Sequence, residues 1–424
     1  MEVGPWFPRV AAFVLTRIAA DPACDETPPH LPRRNPMTKD AMNATIELVK
    51  DRYRRGAGER VPELCCPVEY DASLLAVLPP EILERDYGCG DPSRFVRPGE
   101  TVLDLGSGAG KICYLASQLV GSEGRVIGID ATPEMLALAR EHRRGIGERI
   151  GWHNVEFRHG HIQDLALDLD ALEAWLRAHP VRNLASAAAF EAEKARLRRE
   201  SPLVPDASID LVLSNCVLNL VENGEKERLF AEIHRVLRPG GRCAISDIVS
   251  DEDVPRHLQE VPELWSGCIS GSMREDRFLD AFAEVGLYGI EIAERQVEPW
   301  AVIEGIEFRS ITVVAHKGKE GPCWEHLEAV IYNGPWKEVA DDDGHVFRRG
   351  QRTAVCRKTF RILTREPYDA SITPIEPLRE VAEVDARPFG CDGTRRRDPS
   401  ETKAGVVRTD VAPGTTCGPG ESCC

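Results

Sequence analysis

The run Val102-Leu-Asp-Leu-Gly-Ser-Gly-Ala-Gly110 constrains the fold more than any other part of the chain. Apolar residues suited to a buried strand lead into three alternating glycines, and Lys111 then opens a helical pattern. Glycine tolerates backbone conformations and close approaches that a side chain would block. The run therefore predicts a strand, a tight turn and a helix N-terminus gathered at one point. Further strands are predicted at Thr101–Leu105, Arg125–Ile129, Val155–His159, Ile209–Ser214 and Arg242–Ser246, with helices over 111–120, Pro133–Arg144 and Glu225–Leu237. Thr132 reads as an N-cap, with proline at the first helical position behind it. Short strands alternating with helices imply an α/β class: a doubly wound, Rossmann-like parallel sheet.

At 424 residues the chain has room for two or three domains. A helix is predicted from Thr38 to about Arg55, followed by a loop from Val61 to Asp91 around a short helix near 79–85. These form an amino-terminal segment, 38–98, ahead of a sheet domain at 99–305. Residues 166–206 are rich in helix formers and read as a two-helix surface insertion, Asp170–Ala178 and Ala185–Glu200. Beyond 305, β-like stretches at Ser310–Ala315, Glu328–Tyr332 and Ala354–Ile362 suggest a small β-rich domain over 306–381. Residues 382–424, polar and rich in Pro, Gly, Arg and Thr, read as a disordered tail carrying Cys417, Cys423 and Cys424. Residues 1–37 read as a disordered extension, or as the product of a misassigned start ahead of Met37.

A net charge of -16, from 53 basic and 69 acidic residues, argues against nucleic acid, which needs clustered Lys and Arg. No apolar run approaches the roughly 20 residues that cross a membrane. The 14 cysteines sit in a chain with an ordinary core-forming composition, so reduced, cytoplasmic thiols fit better than a disulfide scaffold.

The cofactor reading rests on acids. A dinucleotide site would carry glycine where this chain has Lys111. Asp104 stands inside the strand, two residues before the first glycine, where a carboxylate disfavours pyrophosphate. It suits S-adenosylmethionine, which carries an ammonium and a sulfonium but no phosphate. Asp130 ends the second strand, where an acid can bind both ribose hydroxyls. The expected cofactor residues are Asp104, Gly106, Ser107, Gly108, Asp130, Ala131, Ile162 and Asn215. His161-Ile-Gln163 follows the third strand and reads equally as an adenine edge or as a plain loop.

Several thiols lie in contexts that a core cysteine does not need. Cys65 and Cys66 sit in a Pro-flanked loop, and Cys89 lies between Gly88 and Gly90. Cys216 follows Ser214-Asn215 at the carboxyl end of the fourth strand, where open α/β sheets bind ligands. Cys268 lies in the small-residue loop Trp265-Ser-Gly-Cys-Ile-Ser-Gly-Ser272. Taken singly, each reads as an inert thiol; together they suit a soft acceptor atom.

With those motifs, residues 40–380 resemble the arsenite S-adenosylmethionine methyltransferases. The resemblance rests on Tyr87-Gly-Cys-Gly90, Asp104-Leu-Gly-Ser-Gly108, Cys113-Tyr114, Ser214-Asn-Cys-Val-Leu-Asn-Leu220 and Trp265-Ser-Gly-Cys268. Cys65-Cys-Pro-Val-Glu-Tyr-Asp71 and Tyr332-Asn-Gly-Pro335 look like the branch associated with arsenosugar biosynthesis. The resemblance implies a class I methyltransferase sheet, As(III) bound by Cys216 and Cys268, and Cys89 as third thiolate. It also implies a turnover disulfide between Cys89 and an upstream cysteine, Cys65 or Cys66, reduced by thioredoxin or glutathione. Two other readings stand beside it: methylation of an organic small molecule, and metalloid binding without turnover.

Overall fold

The computed structural model describes residues 49, 51–58, 68, 70–85, 87–391 and 393–406. Cys65, Cys66, the extension before Met37 and the tail cysteines Cys417, Cys423 and Cys424 lie outside the described residues. The chain forms two compact units, divided after Gly318.

The larger unit is built on one mixed sheet. Its strands are β1 (Thr101–Leu105), β2 (Arg125–Asp130), β3 (Val155–His159), β4 (Ile209–Asn215), β5 (Leu237–Ser250), β6 (Met273–Arg274), β7 (Tyr288–Arg295), β8 (Ala301–Ile303) and β9 (Ile306–His316). They run in the order β3-β2-β1-β4-β5-β9-β7, with β6 paired to β5 and β8 to β9. The first five are parallel, whereas β9 is antiparallel to both β5 and β7.

Successive strand residues point to opposite faces, and both faces are covered. Leu103, Leu105 and Val212 join Phe230, Phe278 and Phe282 in one core. Val102, Leu211 and Leu213 join Tyr114 and Leu115 in the other. Strands buried on both faces are therefore continuously apolar rather than alternating.

The insertion forms helices Leu169–Ala178 and Leu184–Glu200. The second has an Asn183–Ser186 capping box and buries only Leu197. Arg198 pins it to Asp164 at 2.7 Å.

Three expectations need correction. Ser310–Ala315 does not start a separate domain: it lies within β9, whose Ile311, Val313 and Ala315 are fully buried against the main core. The break after residue 305 thus moves to 318. Ala354–Ile362 is not one strand, because Arg357–Leu363 is a helix capped by the Cys356 side chain. The region from 382 is not uniformly disordered. It holds short strands at Arg387–Pro388 and Arg395–Arg396 and a capped helix at Pro399–Lys403. The reason is Arg397, a fully buried guanidinium that donates to Glu325, Glu401 and the Glu328 carbonyl. Releasing that segment would break the ion pairs of Arg397 with the partly buried Glu325 and Glu401 carboxylates.

The smaller unit carries a four-stranded antiparallel sheet. Ile372–Ile375, Ala329–Tyr332, Arg352–Ala354 and Arg395–Arg396 lie in that order, over a core of Val330, Phe347, Val355 and Phe360. Among the described residues, no helix is long and apolar enough to cross a membrane.

Candidate active site

Strand order reverses between β1 and β4, so their carboxyl ends open a crevice at the switch point. A cavity of about 370 Å³ occupies it. Its wall includes every expected cofactor residue: Asp104, Gly106, Ser107, Gly108, Asp130, Ala131, Ile162 and Asn215. His161 and Gln163 line it as well, so the loop after β3 faces the cavity.

The glycine turn is demanded by crowding. Gly106 has φ of 69°, and a Cβ there would stand 2.4 Å from the Val217 side chain. Beyond the turn, both Asp130 oxygens are engaged. Oδ2 accepts from the Gly108 N–H at 2.9 Å and Oδ1 from the Thr132 N–H at 2.7 Å. Burial nevertheless pushes the Asp130 pKa up. Asp104, 2% exposed, accepts from the Cys113 thiol at 3.2 Å.

Ser107 tests whether the wall fits the expected cofactor. The residue lines the cavity, and its Oγ is buried with no hydrogen-bond partner. An orphaned hydroxyl in a wall that also carries Asp104 and Asp130 suits a polar, cationic ligand whose own donors and acceptors complete the set. S-adenosylmethionine meets that description.

Thiols gather behind the cavity wall at Cys216. Cys89, Cys216 and Cys268 are buried in one apolar cluster with Ile248, Leu258, Ile269 and Phe308. The Cys216 thiol lies near enough to Cys89 and Cys268 to interact with both. The Cys268 thiol also donates to the Cys216 carbonyl at 3.0 Å. Sulfurs of Cys89 and Cys216 and a carboxylate oxygen of Asp247 lie within 4.8 Å of one another. Cys216 and Cys268 both have φ of 61°. The left-handed region costs a non-glycine residue of order 1–3 kcal/mol and persists only where the surroundings impose it. Two such residues, both bearing thiols, mark strained backbone at the centre of a site.

Cys216 and Cys89 are held protonated. Contacts with Cys268 and Cys89, followed by burial, lift the Cys216 pKa well above its ordinary value. Burial lifts Cys89.

Asn215 lines the cavity, but its amide is committed elsewhere. Oδ1 accepts from the N–H groups of Cys89 at 2.9 Å and Gly90 at 3.1 Å, while Nδ2 donates to the Gly90 carbonyl at 2.7 Å. It thereby positions the Cys89 loop from the cavity wall. A Cβ on Gly88 would overlap that amide, 2.1 Å from Nδ2, so glycine is required beside Cys89. Ser310 completes the clamp by donating to the Cys89 carbonyl at 2.8 Å.

Three residues escaped the sequence reading. Tyr53 lies near Cys268 and Cys216, and burial raises its pKa well above the ordinary value. Asp247 accepts from the Leu218 and Ile248 N–H groups and from Asn219, each at 2.8 Å, and burial pushes its pKa to about 6. Asn219 also donates to the Cys268 carbonyl at 3.1 Å. Asp247 had a legible signal, an acid in the carboxyl-terminal part of a parallel strand, as at Asp130. Tyr53 had none.

Two family models match the chain: a methyltransferase domain over residues 97–286 and a domain of unknown function, DUF8838, over residues 319–407. The arsenite methyltransferase of Aquipseudomonas alcaligenes is 33% identical over 342 residues, covering 76% of this chain and 87% of the relative. The arsenite methyltransferase of Homo sapiens is 30% identical, covering 70% of this chain and 72% of the relative. A crystal structure of CrArsM, an arsenic (III) S-adenosylmethionine methyltransferase from Chlamydomonas reinhardtii, aligns with a TM-score of 0.50 at 25% identity. It covers 77% of this chain and 100% of that one.

Proposed function

The chain belongs to the arsenite methyltransferase family, and from that premise we propose that it transfers a methyl group from S-adenosylmethionine to trivalent arsenic held by Cys89, Cys216 and Cys268. The observation that carries this reading is the placing of Cys89, Cys216 and Cys268 from distant segments in one apolar cluster, with Cys216 between the other two and on the wall of the acid-lined cavity.

Capture of arsenite balances without a change of charge. Arsenous acid and three thiols form three As–S bonds and release three waters. A neutral trithiolate suits a dry pocket, where a net charge would be expensive to bury. Raised thiol pKa values favour this route, because each proton leaves with a hydroxide of the substrate rather than into bulk water.

Asp104 and Asp130 would hold S-adenosylmethionine, which supplies an electrophilic methyl group on a sulfonium. The arsenic lone pair attacks the methyl group, so one As–C bond forms and the S–CH3 bond breaks. The acceptor carries its own electron pair, and no general base is needed. The work left to the protein is alignment, and here the αL backbones of Cys216 and Cys268 and the Asn215 clamp fix the thiols. Return of arsenic to the trivalent state takes two electrons. Cys89 and one of Cys65 and Cys66 supply them: the As–S bond to Cys89 breaks as an S–S bond forms between the two sulfurs, the second thiol's proton leaves to solvent, and thioredoxin or glutathione then reduces the disulfide. Such thiol chemistry suits the reducing cytoplasm.

The test is to incubate the protein with arsenite, methyl-labelled S-adenosylmethionine and thiol, then speciate the arsenic. Labelled methylarsenicals are expected, and a Cys216→Ser protein should give only background. Arsenite binding without product would favour sequestration, and neither binding nor product would favour an organic acceptor.

A further inference from the structure

The smaller unit holds a second set of thiols. Cys323 immediately precedes Trp324, and Cys391 follows Arg387–Pro388; these two short strands pair antiparallel. The ladder extends through the Phe389 N–H, which donates to the Cys323 carbonyl at 2.9 Å. Cys356 reaches the same point from the cap of helix Arg357–Leu363, where its sulfur accepts from the Thr359 N–H at 3.4 Å. The three sulfurs lie within 4.8 Å of one another, and none is in a disulfide. Cys356 is buried, whereas Cys323 and Cys391 are partly exposed and give access from solvent.

We propose that Cys323, Cys356 and Cys391 form a separate binding site for trivalent arsenic. A buried core cysteine needs no partner thiols, so convergence of three, two of them reachable from solvent, points to a ligand. The ligand must be soft, since all the donors are sulfur. It must also accept three protein ligands. Among the described residues no fourth Cys, His, Asp or Glu atom joins the group, whereas structural zinc takes four ligands in a tetrahedron. Trivalent arsenic fills the fourth direction with its lone pair. Binding follows the same balance as above: three thiols and arsenous acid give three As–S bonds and three waters, with no change in oxidation state. The site goes beyond the methyl-transfer reading and does not depend on it.

The experiment loads the reduced full-length chain with excess arsenite, removes free ligand by gel filtration and counts arsenic per chain by mass spectrometry. Doubly substituted Cys323→Ser/Cys391→Ser protein should carry one arsenic fewer than the parent. A Cys216→Ser/Cys268→Ser protein should keep the arsenic lost from the first variant. If that second protein binds as much as the parent, the catalytic assignment fails while this site stands. A measurement on the unsubstituted chain guards against misfolding: arsenite should protect Cys323 and Cys391 from iodoacetamide in peptide mapping. The proposal is overturned by undiminished stoichiometry together with unprotected thiols. It is equally overturned by one co-purified zinc per chain that the variant lacks, or by a disulfide among the three under thiol reductant.

Discussion

Replacing Asn215 with alanine separates two roles that its position allows, cofactor contact and placement of a thiol. Three hydrogen bonds join its amide to the backbone of Cys89 and Gly90, all partly buried. At about 1 kcal/mol net for each bond, the closed Cys89 loop loses ~3 kcal/mol, roughly a hundredfold in its population relative to displaced arrangements. An Asn215→Asp protein keeps the acceptor for both N–H groups but sets a carboxylate oxygen against the Gly90 carbonyl, and should fall between alanine and the parent. The assays are arsenite affinity, alkylation of Cys89 read by peptide mapping, and cofactor affinity by calorimetry. Arsenite should bind more weakly and Cys89 should react faster, while the cofactor dissociation constant stays within a factor of about two, as expected if the amide serves the Cys89 loop. The reverse pattern, weak cofactor with Cys89 still protected, would refute the positioning role.

Three further outcomes follow from the geometry. Cys89 and Cys216 stay protonated at neutral pH, so arsenite affinity should be flat from about pH 6 to 8, whereas cation capture by thiolates releases protons and tightens with pH; titrations at several pH values decide this. Asp130→Ala should weaken cofactor binding at least ~tenfold, because hydrogen bonds to an ionised group are worth about 1.5–3 kcal/mol each; calorimetry checks it, and arsenic stoichiometry should not move. In the smaller unit, burial outweighs the Arg357 partner at 2.5 Å and lifts Glu328, 1% exposed, to about 7. The folded state thus holds this proton more tightly than the unfolded chain, and stability present at low pH is lost as pH rises through about 7. A Glu328→Gln protein should lack this loss, worth up to ~3 kcal/mol, and pH-dependent thermal melts of the two proteins would reveal it.

What the sequence determines by itself is local. The glycine run, Asp104 and Asp130, the first five sheet strands and the insertion helices are readable because strand period, helix period and turn chemistry act within a few residues. Their common place at the carboxyl ends of β1 and β2 then follows from the parallel connection rule. Tertiary structure decides whatever depends on distant segments meeting. Strand β9 reads alone as a β-rich stretch, and only its pairing with β5 assigns it to the main sheet. Arg397 reads as tail until Glu325 closes over it. Asn215 sits where a cofactor residue belongs, yet the Cys89 loop, 126 residues earlier, takes its amide. The thiols at 89, 216 and 268, and those at 323, 356 and 391, are ordinary cysteines in the linear chain. Packing between elements brings their sulfurs together, since no short-range periodicity records which loops will touch.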